Sequence, residues 1–184
     1  MGILNEEEEK LLTPCLPLLS LNHVSFVCKS VADSANFYQE VLGFVLIKRP
    51  TSFDFEGSWL FNYGIGIHLL QSNDIRKRPP FINPKDNHIS FQCTDMELVK
   101  RKLAEMGMEY VSGVVEEGGI KLDHLFFHDP DGYMIEICNC DNLPVLPFSS
   151  RPLKPSYMAS INGNSGLEKR MMEALATDMI HITL

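Results

Sequence analysis

The chain has 184 residues, 45% apolar and 22% charged, which gives room for one ordinary globular domain or two small half-domains. At that size it needs no disulfide or zinc staple to fold. Sixteen Lys+Arg against 24 Asp+Glu leave a formal charge of −8, which speaks against a nucleic-acid groove or an anionic membrane as partner, and no apolar run reaches the roughly 18 residues of a membrane span.

Residues 1–18 form an acidic arm in which Glu6 to Glu9 are consecutive. Such an arm suits neither a signal peptide nor a basic transit peptide, and His181 to Leu184 match no peroxisomal or retention signal. A cytoplasmic or nuclear location is expected. Cys15, Cys28, Cys93, Cys138 and Cys140 show no disulfide or zinc spacing and read as reduced thiols.

A first module spans residues 19–71. Asn22-His-Val-Ser-Phe-Val-Cys28 reads as a strand, and Ser30 to Leu42 as a helix with Val31, Ala35, Tyr38 and Leu42 on one side. Gly43 stands at its C-terminal capping position. Strands are predicted over Phe44 to Lys48, Ser58 to Asn62 and Gly66 to Gln71, with Tyr63-Gly64 as a turn. Residues 72–86 are a linker holding Pro79-Pro80 and Pro84.

The chain then repeats itself in a second module, residues 87–142. Asn87-His-Ile-Ser-Phe-Gln-Cys93 returns the opening heptad at five of seven positions, 65 residues later. A helix over Met96 to Met106 follows, with Leu98, Val99, Leu103 and Met106 at helical spacing and Gly107 after it. Strands are predicted over Glu109 to Val115, Leu122 to His128 and Tyr133 to Asn139. Asp129-Pro-Asp-Gly132 is a tight turn, because Pro fixes φ and Gly supplies a positive one. Each module is therefore βαβββ. The fold expected is α+β: a curved, mostly antiparallel sheet with helices outside. Residues 143–184 read as a Pro-rich strap and a C-terminal helix, with Leu167, Met171, Leu175 and Met179 at helical intervals.

Strand alternation selects the candidate ligands. Val24, Phe26 and Cys28 should lie under the first helix, which turns His23 to the concave face. The repeat puts His88 on the matching face. Glu136, inside Met134-Ile-Glu-Ile137, is a costly carboxylate unless it is paired or bound to a cation. His68 holds the corresponding place in the first module. Three imidazoles and a carboxylate at four matched positions suit a divalent ion such as Zn, Ni, Fe, Co or Mn. His124 and His128 read as rim or structural histidines, Lys121 and Asp123 as solvated or substrate-touching groups, and Gly118-Gly119 as no phosphate loop.

Over Leu19 to Asn142 the sequence resembles the vicinal-oxygen-chelate superfamily, and within it glyoxalase I-like proteins, including plant ones. Asn22-His23, Phe37-Tyr38 before Val41-Leu-Gly-Phe44, and Asp129-Pro-Asp-Gly-Tyr-Met-Ile-Glu136 carry the likeness. The resemblance implies metal ligands at His23, His88 and Glu136, with His68 where glyoxalase I has Glu, and Glu136 as the catalytic base. It implies a lyase acting on a small oxygen-chelating substrate such as a methylglyoxal-thiol hemithioacetal. Val27, Ser72 and Pro84 occupy the places where that family holds glutathione with Arg, Asn and Arg. The rival expectations are an extradiol-type dioxygenase or thiol transferase on the same metal, or a non-catalytic binder of a small ligand or partner. A homodimer exchanging modules is expected, the linker being long enough to reach either way.

Overall fold

A computed structural model describes residues 16, 18–75, 79–117 and 119–144. The predicted C-terminal helix and most of the acidic arm lie outside them. Two βαβββ modules are present. The first comprises β1 (His23–Cys28), α1 (Val31–Glu40), β2 (Val45–Ile47), β3 (Gly57–Asn62) and β4 (Ile65–Gln71). The second comprises β5 (His88–Gln92), α2 (Met96–Glu105), β6 (Val111–Glu117), β7 (Ile120–His128) and β8 (Met134–Cys138).

Both helices lie within their predicted spans: α1 begins after Ser30 and stops at Glu40, two residues short of Leu42, and α2 runs from Met96 to Glu105, one short of Met106. Ser30 accepts the Asp33 amide at 3.2 Å, and Asp95 accepts that of Leu98 at 2.9 Å, each satisfying one of the free N–H groups of a first turn. Gly43 and Gly107 follow with φ of 72° and 68°, a region in which a Cβ is disfavoured. Tyr63 also has a positive φ, 54°, in the β3–β4 turn. Its hydroxyl donates to Leu42 O at 2.8 Å, and its ring meets the edges of Phe44 and Phe91, contacts that offset the strain.

Where one sheet was expected there are two, each of four strands, in the orders β1-β4-β3-β2 and β5-β8-β7-β6. They are mixed: β1 runs parallel to β4 and β5 to β8, and the other pairs are antiparallel. The parallel pair follows from the helical crossover after each first strand, which no two-residue turn could replace.

One apolar core serves both modules. It gathers Phe26, Tyr38, Leu60, Ile67 and Leu69 from the first with Leu125, Phe127, Ile135 and Ile137 from the second. Phe37 on α1 approaches Phe127 on β7 at 6.4 Å between ring centroids, and Phe44 meets Phe91 at 5.9 Å. Burial of such side chains contributes about 1.5–3 kcal/mol each. The β7–β8 turn completes the join. Asp131 accepts the Ser34 hydroxyl at 2.7 Å and the Lys29 amide at 2.9 Å; Asp129 accepts the Tyr38 hydroxyl at 3.1 Å; and Tyr133 OH accepts the Val27 amide at 3.3 Å.

Candidate metal and substrate site

With the apolar faces turned to the core, the opposite faces of β1 and β4 carry His23 and His68. In β1 the burial alternates as expected, Phe26 and Cys28 inside and His23 and Ser25 outside. Register places Ser25 beside His68, and His23 beside Gly66. The His23 and His68 rings stack at 3.9 Å, and His68 stacks on Trp59 of β3 at 4.2 Å with planes 3° apart. Burial, then the neighbouring His23, hold the His68 imidazole below its ordinary pKa, so it is neutral at pH 7. Gly66 gives His23 its room: a Cβ there would stand 3.1 Å from His23 Cβ and 3.6 Å from His68 Nε2.

His88 and Glu136 form the second pair, with 3.2 Å between Nε2 and Oε2. Glu136 is 7% exposed, and its other oxygen lies 2.6 Å from His124 Nδ1. Burial pushes this carboxyl up. Hydrogen bonds from His124 and Ser90, with the nearby His88, outweigh it and leave the group below the usual range, so it is ionised at neutral pH.

A further regularity links the halves. His23 Nδ1 lies 2.8 Å from Asn22 Oδ1, and His88 Nδ1 lies 2.7 Å from the Asp86 carbonyl. A carbonyl accepts only from N–H, so His88 carries its proton on Nδ1; the Asn22 amide oxygen imposes the same tautomer on His23. With Nδ1 held in this way, the neutral form of each ring presents Nε2 as its lone-pair donor, the arrangement of a metal-ligating histidine fixed by an outer hydrogen bond. Imidazole nitrogen and carboxylate oxygen are also suitable donors for a borderline divalent ion.

The structure brings together His23 with His68, and His88 with Glu136, on separate sheets. Among the described residues no three His, Cys, Asp or Glu side chains converge as a metal cage. His124, read from the sequence as a rim or structural residue, belongs with Glu136. Strand parity carried that signal: Glu136 pairs with Phe126, so even-numbered β7 residues share its face. His128 is buried at 5% exposure and pairs with Met134 across β7–β8.

A cavity of about 560 Å³ opens on the outer face of the first sheet over His23 and His68, walled by Phe53, Phe55, Trp59 and Phe61. A larger one, about 920 Å³, lies between α2 and the Tyr63 turn, but none of the candidate ligands lines it. No helix among the described residues is long and apolar enough to cross a membrane.

Comparisons with known proteins cover the same stretch of chain. Residues 20–137 match the family model described as Glyoxalase/Bleomycin resistance protein/Dioxygenase superfamily. The chain is 65% identical over 134 residues to Glyoxylase I 4 of Arabidopsis thaliana, covering 72% of this chain and 77% of that one. It is 29% identical over 126 residues to the metallothiol transferase FosB of Bacillus licheniformis, covering 65% and 75%. Among solved structures, a glyoxalase family protein from Bacillus anthracis aligns with a TM-score of 0.55 at 19% identity, over 67% of this chain and 97% of that one. The fosfomycin resistance protein FosX of Listeria monocytogenes aligns at 0.52 and 17%, over 66% and 92%.

Proposed function

The chain belongs to the Glyoxalase/Bleomycin resistance protein/Dioxygenase superfamily and is a glyoxalase I-like enzyme; on that footing we propose that it is a metal-dependent lyase that isomerises the adduct of a 2-oxoaldehyde and a thiol. His23, His88 and Glu136 hold the divalent ion, with His68 beside His23 as a fourth or distal ligand. The observation that carries this reading is the pair of first-strand histidines whose Nδ1 atoms are both held by an outer oxygen, with Nε2 of His88 turned to Glu136. The ion, when bound, polarises the adjacent oxygens of the substrate.

Glu136 is the base. Its carboxylate takes the proton from the carbon bearing the hydroxyl and sulfur and returns it to the neighbouring carbonyl carbon, so the hemithioacetal becomes the thioester of a 2-hydroxy acid with no atom gained or lost. His124, at 2.6 Å, keeps the carboxylate oriented. His68 removes the carboxylate expected in the first module, so a single base serves both carbons.

The working unit is a homodimer, in which His23 and His68 of one protomer complete the centre with the His88–Glu136 pair of its partner. The support for this is the placement of the two pairs on separate sheets of one chain. Glutathione is a poor thiol for this site, because Val27, Ser72 and Pro84 provide none of the Arg and Asn anchors expected there.

The test is metal analysis with exchange of subunits. Purified protein should carry one ion per chain, and Glu136→Gln and His23→Ala should each lose it. Refolded together, the two variants should regain part of the binding, since each heterodimer holds one intact centre. Full metal content in both variants would sink the site. A monomeric mass with no recovery on mixing would sink the exchanged dimer. Hemithioacetal isomerisation by the loaded protein, lost in Glu136→Gln, tests the reaction itself.

A further inference from the structure

The cavity over His23 and His68 has a chemistry of its own. Its floor is a stack of three rings: Trp59 on His68 at 4.2 Å, and His68 on His23 at 3.9 Å. Its wall is a ring cluster, with Phe53 meeting Trp59 at 5.8 Å and Phe55 at 5.3 Å, both edge-on. Phe61 and Ile47 close the other side. Edge-to-face pairs prefer this geometry, and the stacked rings, their faces taken up by one another, present their edges along the floor.

Charge is excluded from the lining. The polar members are Asn22 and Ser25 besides the two histidines. Asn22 is turned to His23. Arg49 packs on the wall: its guanidinium carbon stands 4.7 Å from the centroids of both Phe53 and Phe55, and Nη2 donates to Phe55 O at 2.8 Å. Arg49 thus braces the phenylalanine loop from behind rather than reaching for a ligand. About 560 Å³ is the size of an ordinary small-molecule site, and far more than a methyl group needs.

We propose that this cavity receives a flat, uncharged aromatic group, so that the substrate is an aryl-bearing compound with vicinal oxygens rather than its methyl counterpart. The inference rests on the lyase reading for the vicinal oxygens, and on the cavity alone for the aryl group. One face of the incoming ring lies against the edges of the Trp59–His68–His23 stack, an edge-to-face contact, and its rim meets Phe53 and Phe61. Each such ring contact adds to the area removed from water, so the aryl compound binds on the order of 10- to 100-fold more tightly than the methyl one.

Trp59 is the only tryptophan in the chain, and it forms the floor, so its fluorescence reports occupancy without any turnover. The probes are 1-phenyl-1,2-ethanediol and 1,2-propanediol, which share two adjacent hydroxyls and differ only in phenyl against methyl. Full-length protein is titrated with each, both metal-free and after loading with Zn. The phenyl diol should perturb Trp59 at concentrations at least about 10-fold lower, in both forms. Phe61→Ala and Phe53→Ala, both at partly exposed positions, should bring the two diols to within about 3-fold, with melting temperatures close to wild type. Equal affinities in the parent protein would overturn the proposal, as would a phenyl preference that survives both substitutions. So would a Trp59 that neither diol perturbs, because the cavity beside the completed centre would then be filled by the partner's side chains rather than open to a ligand. If no metal binds but the phenyl preference persists, the lyase reading fails and the cavity stands; metal binding without the preference does the reverse.

Discussion

Asp129 should make this protein less stable as the pH rises from 4 to 7, the reverse of an ordinary paired carboxylate. Only 1% of the residue is exposed. Burial pushes its carboxyl from 3.8 up to about 6, although Oδ1 accepts the Asp131 and Tyr133 amides at 2.9 and 2.8 Å and Oδ2 accepts the Tyr38 hydroxyl. The folded chain therefore binds a proton more tightly than the unfolded chain. Stability from this group is complete below pH 4 and is lost as pH rises through about 6. The displacement, about 2 units at roughly 1.4 kcal/mol each, amounts to roughly 3 kcal/mol. Asn at this position stays neutral; its Oδ1 accepts the same two amides and its NH₂ donates to the Tyr38 oxygen. Urea unfolding of Asp129→Asn and the parent between pH 4 and pH 8 should show the variant gaining roughly 2–3 kcal/mol on the parent across that range, nearly all of it by pH 7. Titrations common to both chains cancel in the difference. A stability difference that does not change with pH would show that the carboxyl titrates at its ordinary value and that the reasoning is wrong.

Tyr38→Phe removes the buried donor to Asp129 and should cost about 1–3 kcal/mol in chemical unfolding, more at pH 8 than at pH 5, where the carboxyl can be neutral. His124→Ala takes away the group that orients Glu136; competition with a chelator should read a loss of metal affinity of about 10- to 100-fold with the fold intact by circular dichroism. Glu136 itself, held below the usual carboxylate range, contributes stability that is present above about pH 4.5 and lost in acid, so Glu136→Gln should flatten the acid limb of the metal-free protein's stability curve. In Gly66→Ala the new Cβ, 3.1 Å from His23 Cβ, should displace that ring and weaken metal binding well before it lowers the melting temperature.

The two βαβββ modules could be read from the sequence because several local signals agreed: a repeated heptad, apolar residues at helical spacing after each copy, and glycines at both helix ends. The face on which His23, His68, His88 and Glu136 lie followed from alternation, because one face of β1 is buried and a one-residue slip would bury His23 instead of Phe26. The distance between the two pairs could not be read so. Alternation fixes the side of a strand but not which sides of two sheets turn towards each other; that is decided by the shared core of Phe37, Phe44, Phe91 and Phe127, whose contacts have no periodicity. The place of His124 beside Glu136 depends on the β7–β8 register, and the Asp129-Pro-Asp-Gly132 turn between those strands announces a turn without fixing that register in the sequence. Asp129-Pro-Asp-Gly132 was legible as a turn only. That its carboxylates bind Ser34 and Tyr38 is a long-range fact, 97 and 91 residues away.

That turn also imposes an order on biosynthesis. β1 lies at the end of its sheet, and two amides there, that of Val27 within the strand and that of Lys29 just after it, have as partners Tyr133 and Asp131, which lie 106 and 102 residues downstream. A ribosome adding 5–20 residues per second needs about 5–20 s to deliver them. Through that interval the first module has its helix, its hairpins and its own histidine pair, but an unprotected strand edge of the kind that recruits another chain. The same aspartates that join the finished modules thus end the period in which a nascent chain is open to the wrong neighbour.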